Sequence, residues 1–236
     1  MQLFDFHTHV FTKEDIEYYI DNKIYALINC TTIKECELVY PYTVSSKYIK
    51  MSVGIGPSNC EQVDSLASYF PLAHAIGEIG LDNVWSEKDM DLQKTCFSMQ
   101  LDIAKQLNKP IILHTKGMEF EIAEILSKYD LIKIIHWYSG DNSELEKYTA
   151  QGCFFTLGVD YQYNSNSRRV LDYADISKVL TETDALFSIE WVHNKKFDIS
   201  KIKEQLIEST EFIQKNSQVT EDLFTKNSMK IWNQLI

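Results

Sequence analysis

Asp5-Phe6-His7-Thr8-His9 sets two imidazoles two residues apart at the end of an apolar run. The period-two geometry of an extended strand turns both rings to the same side, and two neutral imidazoles on one face form a ready clamp for a metal ion. In a chain with six histidines such a pair can arise by chance. Its weight therefore depends on what stands at the ends of the other apolar runs. The run at 3–8 is followed by seven more, at 25–30, 49–55, 73–79, 111–114, 133–137, 153–158 and 179–183. Most are almost continuously apolar, the pattern of strands buried on both faces of a parallel sheet. Glu78 closes one of them between Gly77 and Gly80, His114 follows Ile111-Ile112-Leu113, His136 follows Ile134-Ile135, and Asp184 follows Thr181-Glu182-Thr183.

Between these runs lie charged segments with helical spacing. The clearest spans 87–108, where Met90, Cys96, Phe97, Leu101, Ala104 and Leu107 recur at near three- and four-residue intervals before Lys109-Pro110 stops the helix. Further helices are expected at 119–129, 143–150, 199–214 and 221–234, and another around Val170-Leu171-Asp172. Eight strand–helix units in 236 residues leave about 30 residues per unit, the size of one βαβ repeat. A single (β/α)8 TIM barrel over 1–236 is the expected fold, with an open doubly wound sheet as the rival. The placement of His7, His9, Glu78, His114, His136 and Asp184 favours the barrel. They fall at the C-terminal ends of the first, fourth, fifth, sixth and eighth strands, and only a closed barrel brings those ends to one point. His74 opens a strand at the opposite end and reads as structural, while His193 is expected in a loop.

The composition, 44% hydrophobic and 24% charged, excludes collagen-like and low-complexity chains. The longest apolar stretches are strand-sized, so no membrane span is expected. The start at Met1-Gln2-Leu3 lacks the features of a signal peptide, and a cytoplasmic protein is expected. Five cysteines without a Cys-x-x-Cys pair indicate neither a disulfide framework nor a thiolate zinc site. A net charge of −11 argues against gripping nucleic acid over a broad basic face, so a polyanionic substrate would have to be held locally.

Taken in order, D-F-H-T-H at 5–9, G-E-I-G-L-D at 77–82, L-H-T-K at 113–116, H-W-Y-S-G at 136–140 and E-T-D-A at 182–185 resemble the TatD-like metal-dependent deoxyribonuclease family over nearly the whole chain. Asp91-Leu92-Gln93 with Phe97, Lys109-Pro110 and Asn227 extend the likeness. The resemblance implies a metal-dependent hydrolase on a TIM barrel. It would cleave phosphodiester bonds in the manner of a 3′–5′ exonuclease, using one or two divalent cations and a metal-activated hydroxide. His7, His9 and Asp184 would then hold one metal and His114 and His136 the other, with Glu78 bridging. Asp184 and Glu78 are the catalytic candidates, Asp184 orienting the hydroxide and taking its proton. Nitrogen and oxygen donors without sulfur suit Zn²⁺, Mn²⁺ or Mg²⁺.

Several positions depart from the family pattern. Gly56 stands in Gly54-Ile55-Gly56-Pro57 where the family often has histidine, and Lys116 stands where it often has arginine. Lysine offers phosphate a point charge in place of a two-pronged fork. The family's Arg-Asn after the last strand has its nearest counterpart in Trp191-Val192-His193-Asn194, where His193 or Lys195 would substitute. Lys116, Arg168 and Arg169 are candidates for holding phosphate, although the arginine pair equally suits a solvated helix face. Trp137, Tyr138, Tyr161 and Tyr163 are candidates for stacking bases. Single-stranded DNA or chain ends are the expected substrate. The competing readings are a metal-dependent amidohydrolase or lactonase acting on a small metabolite, and a non-catalytic barrel serving as a binding partner.

Overall fold

The computed structural model describes residues 1–235. Its sheet contains eight parallel strands in sequence order: β1 (Phe4–Thr8), β2 (Tyr25–Cys30), β3 (Ile49–Val53), β4 (Ala75–Asp82), β5 (Ile111–Lys116), β6 (Lys133–Ile135), β7 (Phe154–Leu157) and β8 (Val179–Thr181). The helices are α1 (Lys13–Asp21), α2 (Ile33–Ser45), α3 (Met90–Leu107), α4 (Glu119–Leu126), α5 (Asn142–Ala150), α6 (Ser165–Tyr173), α7 (Ala185–His193), α8 (Ser200–Ser217) and α9 (Glu221–Trp232). Between β3 and β4 the chain takes 3-10 turns at Pro57–Leu66 and Phe70–Leu72 in place of an α-helix. Where β8 returns to β1, Asp184 N–H donates to His7 C=O (3.0 Å), and Thr183 N–H donates to the Asp5 carboxylate (2.9 Å). The result is a TIM barrel, its seam joined largely by side-chain hydrogen bonds.

Local chemistry accounts for several of the elements. Thr12 with Asp15, Thr32 with Glu35 and Asp141 with Glu144 form reciprocal capping boxes that start α1, α2 and α5. Asn108, in the left-handed conformation, ends α3. Phe4, Phe6, Leu27, Ile112, Ile134 and Leu180 fill the barrel interior, and Ile231, Trp232 and Leu235 pack against them at its base. Continuing the period-two alternation past Ile112, Ile134 and Leu180 leads to His114, His136 and Glu182. One layer of apolar side chains thus supports a layer of ionisable ones.

Two sequence expectations need correction. Strand β4 runs on to Asp82, so Glu78 lies in its middle and not at its end, at a register irregularity between Ile76 and Ile79. Gly77 permits this path, because a Cβ there would lie 2.5 Å from Ile112 Cβ on the next strand. His193 is the last residue of α7, not part of a loop. Among the described residues no helix is long and apolar enough to cross a membrane.

Candidate active site

At the C-terminal mouth of the barrel the six residues expected to converge do so around Glu78. Its Oε2 faces His7 Nε2 (3.5 Å) and His9 Nε2 (3.9 Å), while its Oε1 faces His114 Nδ1 (2.6 Å) and His136 Nε2 (3.5 Å). Asp184 Oδ1 completes one side, 3.3 Å from His7 Nε2 and 3.6 Å from His9 Nε2. Three overlapping sets have ligand atoms close enough to share an ion: His7 with His136 and Asp184, His7 with His9 and Glu78, and Glu78 with His114 and His136. Both ring nitrogens of the fully buried His7 lack a hydrogen-bond partner. Burying an imidazole in that state is unfavourable unless something else satisfies it. Nitrogen and carboxylate donors at this spacing fit a divalent cation.

A second set of groups orients these side chains. His136 Nδ1 lies 3.1 Å from Glu182 Oε2, which also accepts from Thr156 Oγ1 (2.6 Å). With its Nδ1–H directed to Glu182, the His136 Nε2 lone pair is left for the centre. His114 Nε2 lies 2.9 Å from Asp82 Oδ2, which leaves Nδ1 toward Glu78. Asp5 accepts from Tyr19 OH (2.9 Å) and Thr183 Oγ1 (2.6 Å) and ties the strand carrying His7 to the segment carrying Asp184.

Burial opposes charge throughout, and the neighbours decide the outcome. It raises Glu182 to about 8 and Asp5 to about 7 despite the hydrogen bonds each accepts. Burial acts likewise on Asp184, but His7 with the other imidazoles outweighs it and holds the group at about 2. Glu78 is held well below the usual carboxylate range because His136, His114 and His7 overcome its desolvation. Burial disfavours the charged form of His114, yet Asp82 and Glu78 raise it to about 9. His9 and His136 are lowered, burial being the main cause in both.

These groups open into a cavity of about 600 Å³ whose wall includes Trp85, Lys116, Trp137, Asp160, Phe187 and Trp191. Lys116 Nζ donates to Ser139 Oγ (2.9 Å) and Trp137 C=O (3.3 Å), and it lies 5.2 Å from the Trp85 ring centroid. Gly158 makes room for Trp137, since a Cβ there would collide with the indole.

A family model for TatD-related DNases matches residues 4–233. The chain belongs to the TatD-related DNase family. Among its relatives, an uncharacterized metal-dependent hydrolase of Methanocaldococcus jannaschii, MJ1582, is 27% identical over 161 residues, 67% of this chain and 62% of the relative. A Rahnella protein named 3′-5′ ssDNA/RNA exonuclease TatD is 31% identical over 123 residues, 49% of this chain and 46% of that protein. The matched part of the chain thus spans about half the length of these curated relatives. The crystal structure of a TatD-family hydrolase from Entamoeba histolytica superposes with a TM-score of 0.74 at 14% identity, covering 99% of this chain and 96% of that one. At that identity the likeness concerns the fold.

The residues expected to hold phosphate or stack bases divide into those that reach the cavity and those that do not. Lys116 and Trp137 line the cavity, but Arg168 and Arg169 do not. Arg168 donates to the carbonyls of Tyr161 and Gln162, and Arg169 to the carbonyl of Gly140 and to Asn166 Oδ1. Tyr161 is buried against Phe212, Tyr138 is buried with its hydroxyl on Asp141 C=O, and Tyr163 packs on His193. His193 and Lys195 face Phe197 and lie outside the cavity lining. Sequence reasoning missed the roles of Asp82 and Glu182, although each sits an even number of residues from a candidate ligand on its own segment. Trp85 and Trp191 carried no such signal, because a loop and the last turn of α7 deliver them to the mouth.

Proposed function

We propose that this TatD-family hydrolase is a divalent-metal-dependent exonuclease that shortens single-stranded DNA from a chain end in the 3′–5′ direction. The observation that carries this reading is the union, in one cavity, of the Glu78-centred histidine–carboxylate cluster with Lys116, the single Lys or Arg of its lining. The activity named for the Rahnella relative agrees with it. In this proposal His7, His9 and Asp184 would hold one divalent cation, Zn²⁺, Mn²⁺ or Mg²⁺. His114 and His136 would hold a second where two are bound, with Glu78 available to both. Cations so held supply Lewis acidity and bring the pKa of water toward neutrality.

The protein's own groups do the rest. Asp184 Oδ2 accepts from Ser188 Oγ (2.8 Å), which fixes the carboxylate with Oδ1 facing the histidines, and the carboxylate so oriented would serve as the proton acceptor for the attacking water. Glu182 and Asp82 hold the rings of His136 and His114 in one tautomer and orientation. Lys116 directs its charge at a phosphate oxygen. A cavity of about 600 Å³ has the size of a small-molecule pocket, which favours a strand end over an internal duplex site.

The test is digestion of end-labelled single-stranded DNA by chelated protein to which Mg²⁺, Mn²⁺ or Zn²⁺ is returned. Stepwise shortening by the parent, lost in Glu78→Ala and Asp184→Asn, is expected. Nicking of closed circular duplex without release of end nucleotides would contradict the exonuclease reading. Absent cleavage with metal still bound would redirect the search to small-molecule esters and amides.

A further inference from the structure

Three of the four tryptophans in the chain line the catalytic cavity. Trp137 is nearly buried and its Nε1 donates to Asp160 Oδ1 (2.8 Å), so it forms part of the fixed wall. Trp85 and Trp191 are 62% and 68% exposed. Large exposed aromatic rings in a common patch mark a surface that receives a partner.

Neither ring is loosely placed. Asp82 Oδ1 accepts from Trp85 N–H (2.8 Å) and Val84 N–H (2.7 Å), while Oδ2 of the same carboxylate meets His114. The turn carrying Trp85 is thereby fixed to the metal-ligand candidates. Trp191 projects from α7, the helix that begins directly after Asp184, and meets Trp137 edge-on with ring centroids 6.4 Å apart. Lys116 lies between the Trp85 and Trp137 rings, 5.2 and 5.9 Å from their centroids.

The remaining polar groups of this wall are already engaged. Asp160 uses Oδ1 for Trp137 and Oδ2 for Asn164 Nδ2, and Asn164 Oδ1 accepts from Asn166 N–H. This side of the cavity therefore presents ring faces and one ammonium, with little free hydrogen-bonding capacity for reading base edges. A chain of net charge −11 must also bind a polyanion with little help from its overall field. Stacking meets that need, because every base has a π face.

We infer that Trp85 and Trp191 determine substrate choice by stacking on the unpaired bases of a strand end, without base specificity, while Lys116 contacts a single phosphate. This rests on the exonuclease reading above and adds to it the part of the substrate that is recognised.

Binding is measured without turnover, in chelator, by isothermal titration calorimetry, whose signal does not depend on the tryptophans replaced. The probes are a five-residue oligothymidylate and an equally charged pentamer of abasic tetrahydrofuran units. The parent should bind the thymidylate about ten- to hundred-fold more tightly than the abasic strand. The Trp85→Ala/Trp191→Ala double variant should bring that ratio close to one, and the corresponding phenylalanine variant should retain most of it. A plot of log affinity against log salt should have a shallow slope of about −0.7, the value for one phosphate neutralised on a single strand. Equal binding of the two probes by the parent, or a ratio unchanged in the double alanine variant, would overturn the inference. Cleavage without base-dependent binding would leave the nuclease reading standing alone. Base-dependent binding without cleavage would sustain the stacking role and remove the nuclease reading.

Discussion

Asp184 has φ of 51°, and its neighbour Ala185 (72°) and Trp137 (39°) share the left-handed region that residues other than glycine seldom occupy. Their clustering beside the histidines is the pattern expected where surrounding structure holds backbone in a strained conformation for function. Asparagine tolerates this conformation as aspartate does, so Asp184→Asn removes charge with little change in backbone preference. Metal-dependent turnover should fall by about 10²–10⁴-fold, the range for loss of a positioned proton acceptor, with the cooperative urea transition retained. Glu182 offers a complementary test. Glu182→Leu leaves His136 Nδ1 and Thr156 Oγ1 without their shared acceptor, and metal affinity measured by chelator competition should drop about 10- to 100-fold. Glu182→Gln, whose carbonyl oxygen can accept both bonds, should recover most of the loss. Equal affinities for the leucine variant and the parent would confine Glu182 to a packing role.

Helix α3 acts on two strand ends at once through one face. Gln100 accepts from Ile55 N–H (2.7 Å) and donates to Ile55 C=O (3.0 Å), just past β3. Seven residues earlier, Gln93 does the same for Asp82, the last residue of β4, at 2.9 and 3.0 Å. Two helical turns separate the glutamines, which places them on the same side of α3. Gln100→Ala should cost about 1–3 kcal/mol, the penalty for leaving buried backbone groups unpaired, read from the urea midpoint. Gln93→Ala should cost about as much by the same reasoning. It should also weaken metal binding, because Asp82 is the carboxylate that orients His114. If both variants lose stability equally and neither changes metal affinity, the proposed link from α3 to the centre is wrong.

The whole molecule couples the site to folding by mass action. A cation that binds the assembled cluster and not the unfolded chain stabilises by about 2.7 kcal/mol at one hundred times its Kd. Chelated protein should therefore gain thermal stability when Mn²⁺ or Zn²⁺ is returned, and Glu78→Ala should lose that gain. At the opposite end of the barrel, burial together with the charges of Lys50 and Lys109 lowers His74 from 6.5 to about 4. Its Nδ1 accepts from Met51 N–H (3.3 Å) and must stay unprotonated to do so. The unfolded chain binds this proton first, so the His74 contribution is fully present above pH 6.5 and declines as pH falls toward 4. The stability of chelated His74→Gln should decline less than that of the parent across this window. Parallel pH dependences would show that His74 is not the group responsible.

Most of this architecture was legible because its signals are local. The apolar runs marked the strands, and an ionisable residue placed just beyond an apolar run, as with His114 and His136, marked the mouth. The limits appeared where position depends on the path of the backbone. Glu78 stands at the end of an apolar run in the sequence, yet β4 stays paired with β5 from Ile79 to Asp82 and so runs on past it. Helices α1 and α2 start at capping boxes, whereas α7 starts after Asp184 without a side-chain cap and buries Ala185, Ser188 and Ile189. Arg168 and Arg169 looked available for phosphate, but nearby carbonyls claim them.

The sequence by itself determined the repeat of strand and helix and the identity of six side chains that converge, since both follow from residue type and spacing along one chain, and its likeness to known sequences placed it in the TatD-related family. Tertiary structure alone decided that Glu78 faces both histidine pairs, that Glu182 and Asp82 fix the rings, and that Trp85, Trp137 and Trp191 share one wall. Those relations join residues far apart in the chain, and the closing seam does so most plainly, where Thr183 N–H donates to the Asp5 carboxylate 178 positions away. Barrel closure makes them neighbours, and no local spacing encodes the distance between them.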